Sequence, residues 1–129
     1  MASYAMKKVL KLGFEDALAR APDALKAEGF GVLTEIDVKE TLHKKLGADF
    51  RKYRILGACN PPFALQALQA EIDIGLMLPC NLVVYDAGDG TTVVAAIDPE
   101  MTVAATGNPK LLPIALEIRR RLARVLESL

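Results

Sequence analysis

Hydrophobic and polar positions change period several times along this chain, and the changes mark its elements. Over Tyr4-Ala5-Met6-Lys7-Lys8-Val9-Leu10-Lys11 the period is two: Tyr4, Met6 and Leu10 share one face, with Lys8 the exception. Lysines in an alternating segment suit an exposed sheet edge, so an edge strand is expected. After Gly13 the period lengthens, and Phe14, Ala17, Leu18, Ala21 and Leu25 fall on one helical stripe. Glu15 and Asp16 suit the positive end of that helix, and Gly29 is placed to stop it. Pro22 lies inside the stripe and is expected to kink the helix or split it in two.

Phe30-Gly31-Val32-Leu33-Thr34-Glu35-Ile36 then reads as a strand. Asp37 and Glu40 have the spacing of a capping box, and Val38, Leu42 and Leu46 line one side of a short helix ending at Gly47. Tyr53 to Ala58 is the third strand. Asn60-Pro61 is a strong helix start, Asn as N-cap and Pro at the first helical position, with Ala64, Leu65, Leu68 and Ile72 expected to face inward. Asn81 to Asp86 and Thr91 to Ile97 flank Ala87-Gly88-Asp89-Gly90, which has the glycines a β-hairpin turn needs; Asp98-Pro99 ends the pair. The last helix is the clearest element: Leu111, Ala115, Ile118, Leu122, Val125 and Leu129 recur at steps of four and three, and Pro113 lies in the first turn. This order of elements predicts an α+β fold, a mostly antiparallel sheet covered by helices on one face.

Composition narrows the class. At 129 residues, with 52% hydrophobic and 25% charged positions, the chain is a single globular domain over 1–129. A domain of this size buries about 65–70% of its unfolded surface. The 16 basic and 16 acidic residues cancel, so no global field favours nucleic acid or an anionic membrane. The start of the chain lacks a basic segment followed by an apolar one, and the most apolar stretch, Ile74 to Tyr85, is too short to span a bilayer. Two cysteines without a leader read as reduced thiols, and the expected compartment is the cytoplasm.

Charge is nonetheless unevenly placed. Between Arg54 and Lys110 there is no Lys or Arg, while six acids (Glu71, Asp73, Asp86, Asp89, Asp98, Glu100) and both cysteines fall there. Such a stretch is either a buried sheet with acidic turns or an apolar surface for a partner subunit or ligand, ringed by carboxylates. Cys59 stands between a strand and the start of the Asn60-Pro61 helix, where a thiol pKa can be lowered. Cys80 follows Leu78-Pro79 and precedes a strand. Their spacing excludes a CxxC redox motif and a zinc ribbon; they are either small buried hydrophobes or a soft site assembled from strand ends. His43, between Leu42 and Lys44-Lys45, reads as an exposed helix position. Arg119, Arg120, Arg121 and Arg124 read as a solvated face that complements the helix dipole, with Glu117 and Arg121 a favourable pair. Asp86 to Gly90 lacks the length and distal Glu of a calcium loop, and a hairpin turn explains it. No GxGxxG, P-loop or GxSxG is present.

Several motifs in order carry a family resemblance. Tyr53-Arg54-Ile55-Leu56-Gly57-Ala58-Cys59-Asn60-Pro61 is followed by Gly75-Leu76-Met77-Leu78-Pro79-Cys80, Val83-Val84-Tyr85, Ala96-Ile97-Asp98-Pro99 and Gly107-Asn108-Pro109. The order resembles the bacterial and archaeal family called domain of unknown function 302, over nearly the whole chain. The resemblance implies a TATA-box-binding-protein-like arrangement, a curved antiparallel sheet with a long C-terminal helix across it, and a homodimer. It implies no activity, hence no catalytic residues and no known cofactor, and a fold analogy is no argument for DNA binding.

The expected function is therefore a non-enzymatic binding module. Its pocket, for a small ligand or soft metal, is expected to be lined by Cys59, Asn60, Pro61, Leu78, Pro79 and Cys80, with Asn60 as polar anchor. Cys59 and Cys80 are expected near each other, since the resemblance pairs their motifs. The alternatives are a thiol-dependent enzyme or redox protein using Cys59, and a purely structural homodimer. No nucleic-acid or membrane partner is expected.

Overall fold

The structure, a computed structural model, describes residues 4–129. Met1 to Ser3, in the segment expected to lack a leader, lie outside the described residues. Five strands form one sheet: β1 (Ala5–Leu10), β2 (Gly31–Asp37), β3 (Tyr53–Cys59), β4 (Cys80–Asp86) and β5 (Thr92–Ile97). The helices are α1 (Phe14–Ala27), α2 (Val38–Leu46), α3 (Pro61–Ala70), α4 (Pro99–Ala104) and α5 (Leu112–Glu127). Strand order is β1-β5-β4-β3-β2, and every neighbouring pair is antiparallel. β1 is an edge strand, as its lysines require.

Register decides which side chains meet the helices. Met6, Ala96, Leu82 and Leu56 lie in one row across the sheet, and Lys8, Val94, Val84 and Arg54 in the next. Leu56, Leu82, Val84 and Val94 are fully buried beneath α1 and α5, whose Ala17, Ala21, Leu25, Leu122 and Val125 complete the core. Each fully buried Leu or Val contributes about 1.5–3 kcal/mol. The exception in the β1 pattern has a structural cause. Lys8 points to the helix side and donates from Nζ to the main-chain oxygens of Glu127 (3.1 Å) and Leu129 (2.9 Å). A cation thereby meets carbonyls that the end of α5 leaves without helical partners.

The local signals act as expected at most element ends. Gly29 (φ +87°) closes α1, with Phe30 N–H bonded back to Leu25 O at 3.0 Å. The Asp37 carboxylate accepts from Glu40 N–H at 3.0 Å, and Gly47 ends α2 in the left-handed region. Gly88 and Gly90 take positive φ in the β4–β5 turn.

Three expectations are corrected. Pro22 does not split its helix: α1 runs unbroken from Phe14 to Ala27, with Pro22 on the exposed side. There water can serve the carbonyl that the missing N–H leaves free, while fully buried Ala17, Ala21 and Leu25 hold both halves on the sheet. In α3, Ala67 is the buried residue, whereas Leu65 is 58% and Ile72 77% exposed. The helix ends at Ala70, so Ile72 belongs to a 3-10 segment over Ile72–Met77 and the extrapolated period fails. In α2 no residue is fully buried and Leu46 is exposed, as the helix packs mainly against β2 and β3 at the sheet margin. The sequence reading also lacked α4, which Asp98 caps by accepting from Glu100 N–H at 3.0 Å.

The other sheet face carries no comparable helix layer. Lys7, Ala95, Val83, Ile55 and Ile36 form one of its rows, and Val9, Val93, Tyr85 and Tyr53 another. Tyr53 and Tyr85 stack with ring centroids 5.4 Å apart. Val9 (62%) and Ile36 (48%) are well exposed, and the centre of the face holds a shallow depression of ≈ 360 Å³.

Candidate functional site

The cysteine motifs converge at one end of the sheet. Ala58 on β3 stands directly opposite Cys80 on β4, so Cys59 and Cys80 lie one register step apart at the end of this strand pair. Gly57, one step earlier, is a packing requirement. A Cβ there would lie 2.1 Å from Thr34 Oγ1 and 2.7 Å from Pro79 Cγ, so only glycine lets Pro79 close down on β3. The Leu78–Pro79 peptide is cis.

A cavity of ≈ 270 Å³ opens here between the strand ends, α3 and α5. Its walls include Cys59, Asn60, Leu78, Pro79 and Cys80, five of the six residues expected to line a pocket. Pro61 is exposed at the head of α3 and is not among the wall residues. Sequence reasoning missed Phe30, Leu33, Phe63, Ala67 and Ile118, which add further apolar wall. Phe63 and Ala67 lie three and seven positions after Asn60, one face of α3, and that spacing was the available signal. Ile118 comes from a helix far away in sequence. A second, smaller cavity of ≈ 40 Å³ lies behind Ala67, Leu78, Cys80 and Ile118, which both cavities share as a wall.

Both thiols are free. Burial, and secondarily the neighbouring Cys59, pushes the Cys80 thiol up to about 11. Cys80 is therefore a neutral thiol at physiological pH. Asn60 is 6% exposed and does not cap α3 with its side chain. Its Nδ2 donates instead to Glu28 O at 3.4 Å, an oxygen that also accepts from Arg121 Nη1 at 3.1 Å. The Arg121 guanidinium carbon stands 5.1 Å from the Phe63 ring centroid, so the basic run does meet an aromatic, one supplied by α3.

Other sequence candidates lie elsewhere. His43 is exposed on α2, and Glu40 pairs with Lys44 instead, raising the Lys44 pKa through their hydrogen bond. Asp86 and Asp89 accept from Gly88 N–H and Thr91 N–H, as hairpin-turn residues. Among the described residues, no three His, Cys, Asp or Glu side chains converge as a metal cluster would need, and no helix is long and apolar enough to cross a membrane.

Fold and site together define an α+β protein with an open, curved antiparallel sheet, a long C-terminal helix and an apolar pocket walled by two unpaired thiols. The chain belongs to the family Domain of unknown function DUF302, whose model matches residues 6–129. It is similar to a solved structure, the uncharacterized conserved protein DUF302 from Bacillus stearothermophilus. That match has 38% identity over 98% of each chain, with a TM-score of 0.90. No curated protein matches the chain.

Proposed function

We propose that this protein is a non-enzymatic binding module for a small, largely apolar ligand, held in the pocket at the Cys59–Cys80 end of the sheet. The observation that carries this is the ≈ 270 Å³ cavity, lined mainly by apolar side chains with Asn60 as a buried polar anchor. Concave apolar sites with few polar groups are the usual form of small-molecule pockets. The cysteines serve as pocket walls. Burial raises the Cys80 thiol pKa and suits it to an apolar wall. At a liquid volume of ~30 Å³ per water-sized group, the cavity accommodates about nine such groups.

The test is calorimetric titration with n-octanol, alongside native mass spectrometry of tag-free protein. Saturable binding at one site per chain is expected, lost in Ala64→Phe, which fills the cavity from α3. Absence of saturable binding, or binding unaffected by the filled cavity, overturns the proposal.

We further propose a homodimer of TATA-box-binding-protein-like protomers in the cytoplasm. The apolar, partly exposed sheet face bearing Val9, Ile36, Val83 and the stacked tyrosines supports self-association. Nucleic acid is not the proposed partner, since acids on the protein occupy most of the arginine run.

A further inference from the structure

Building on the pocket proposed above, we infer that its ligand is a neutral amphiphile that donates an O–H to the Asn60 side-chain oxygen, in its simplest form a straight-chain primary alcohol. Among the described residues walling the cavity, Asn60 alone has a side-chain oxygen or nitrogen. Polar recognition in the pocket therefore rests on one amide. That amide belongs to the N-cap of α3, where an asparagine oxygen ordinarily accepts from the N–H of the second or third helical residue. Here Pro62 holds the second helical position and has no N–H, and the Asn60 side chain makes no capping bond. The amide turns to Glu28 instead. Its Nδ2 donates to Glu28 O at 3.4 Å, and a Cβ on Gly29 would lie 3.1 Å from Nδ2 and 3.9 Å from Cγ. The reverse orientation would set two carbonyl oxygens against each other, so the amide has one sensible sense.

Oδ1 is thereby left on the side of the amide away from Glu28, and it accepts no hydrogen bond from the described residues. Nor is it sealed in. Asn60 is only 6% exposed, yet among the described residues the one fully enclosed side-chain polar atom without a partner is Arg121 Nε. Oδ1 therefore meets open space, and the space that Asn60 walls is the cavity. An unserved acceptor selects ligands by hydrogen-bond polarity: a hydroxyl can donate to it, whereas an ether or carboxylate oxygen cannot. Charge points the same way. No wall residue is an acid or a base, so neither a carboxylate nor an ammonium finds a counter-ion there. The position of Asn60 also orients the ligand. Ala67, seven residues along α3 and so about 10 Å away, is shared with the smaller cavity, as are Leu78, Cys80 and Ile118. A head group at Asn60 places the tail against this apolar end.

The probes are n-octanol, its isomer heptyl methyl ether and octanoate, each titrated into the full chain and into Asn60→Leu, which keeps the bulk of the side chain without the amide. The ether has the same atoms as the alcohol but no O–H, and it gives up less hydration on entering an apolar site. A pocket that reads only apolar surface therefore binds the ether at least as tightly. The expected result is the reverse: n-octanol about tenfold tighter than the ether, with octanoate weakest. Asn60→Leu abolishes the preference for the alcohol and leaves ether affinity unchanged. A merely structural role for Asn60 would weaken both ligands alike and preserve their ratio. Ether binding as tightly as n-octanol in the natural chain, octanoate binding most tightly, or a preference that survives Asn60→Leu overturns the inference and leaves the apolar pocket standing. Failure of all three probes to bind overturns the pocket as well. Retained ether binding shows that Asn60→Leu is folded; should it not fold, the order of the three affinities in the natural chain decides.

Discussion

At the scale of single residues, two cysteines that look alike in sequence occupy different positions. Cys80 opens β4 opposite Ala58, and burial raises its pKa to about 11 from an ordinary 9.0. At pH 8 its thiolate fraction is then roughly a hundredfold below that of a free thiol. Cys80 is expected to resist native alkylation at pH 8 and to react progressively faster as pH approaches 11. Mass-spectrometric labelling of each cysteine, with and without denaturant, checks this; rapid native labelling of Cys80 at pH 8 would contradict it. The same displacement sets the sign of a stability effect. The unfolded thiol loses its proton first, so stability from this group is complete below about pH 9 and is lost as pH rises toward 11.

At the scale of elements, α5 joins core to pocket. Leu122 (1% exposed) packs in the main core with α1, whereas Ile118, one turn earlier, also forms pocket wall. Truncation leaves a cavity whose cost depends on how far the surroundings collapse. Leu122→Ala is expected to destabilise the fold by ~2–5 kcal/mol, read from the urea midpoint and slope. A midpoint near that of the natural chain would show that the stripe is not docked. Lys8 links the other end of α5 to the edge strand through the main-chain oxygens of Glu127 and Leu129.

At the scale of the whole molecule, the sheet is asymmetric: one face is sealed by α1 and α5, while the other leaves Val9, Ile36, Val83 and the Tyr53–Tyr85 stack partly open to water. If that face pairs two copies, sedimentation at tens of micromolar gives twice the 13.9 kDa chain mass. Val83→Glu, at the centre of the face, should shift the population to monomer without unfolding it, because a carboxylate buried between two apolar sheets has no partner. A natural chain that sediments only as monomer removes the proposal.

Local patterns were enough for most elements because their causes are local. Alternation at β1, the stripes of α1 and α5, the Asp37–Glu40 cap and the Gly88–Gly90 turn each depend on residues within a few positions of one another. The sequence itself, through its family motifs, also pointed to the strand-end segments that carry five of the pocket's wall residues. The remainder depended on contacts between distant segments. The closing of α3 after Ala70, the unbroken course of α1 through Pro22 and the open margin around α2 follow from what packs against each helix. The apolar back of the pocket comes from Ile118, and Arg121 reaches Phe63 from a helix 58 positions further along the chain. In sequence that arginine is one cation in a solvated run. Only the packing of α5 against α3, which sets its guanidinium against Phe63 and leaves its Nε buried without a hydrogen bond, sets it apart from the arginines beside it.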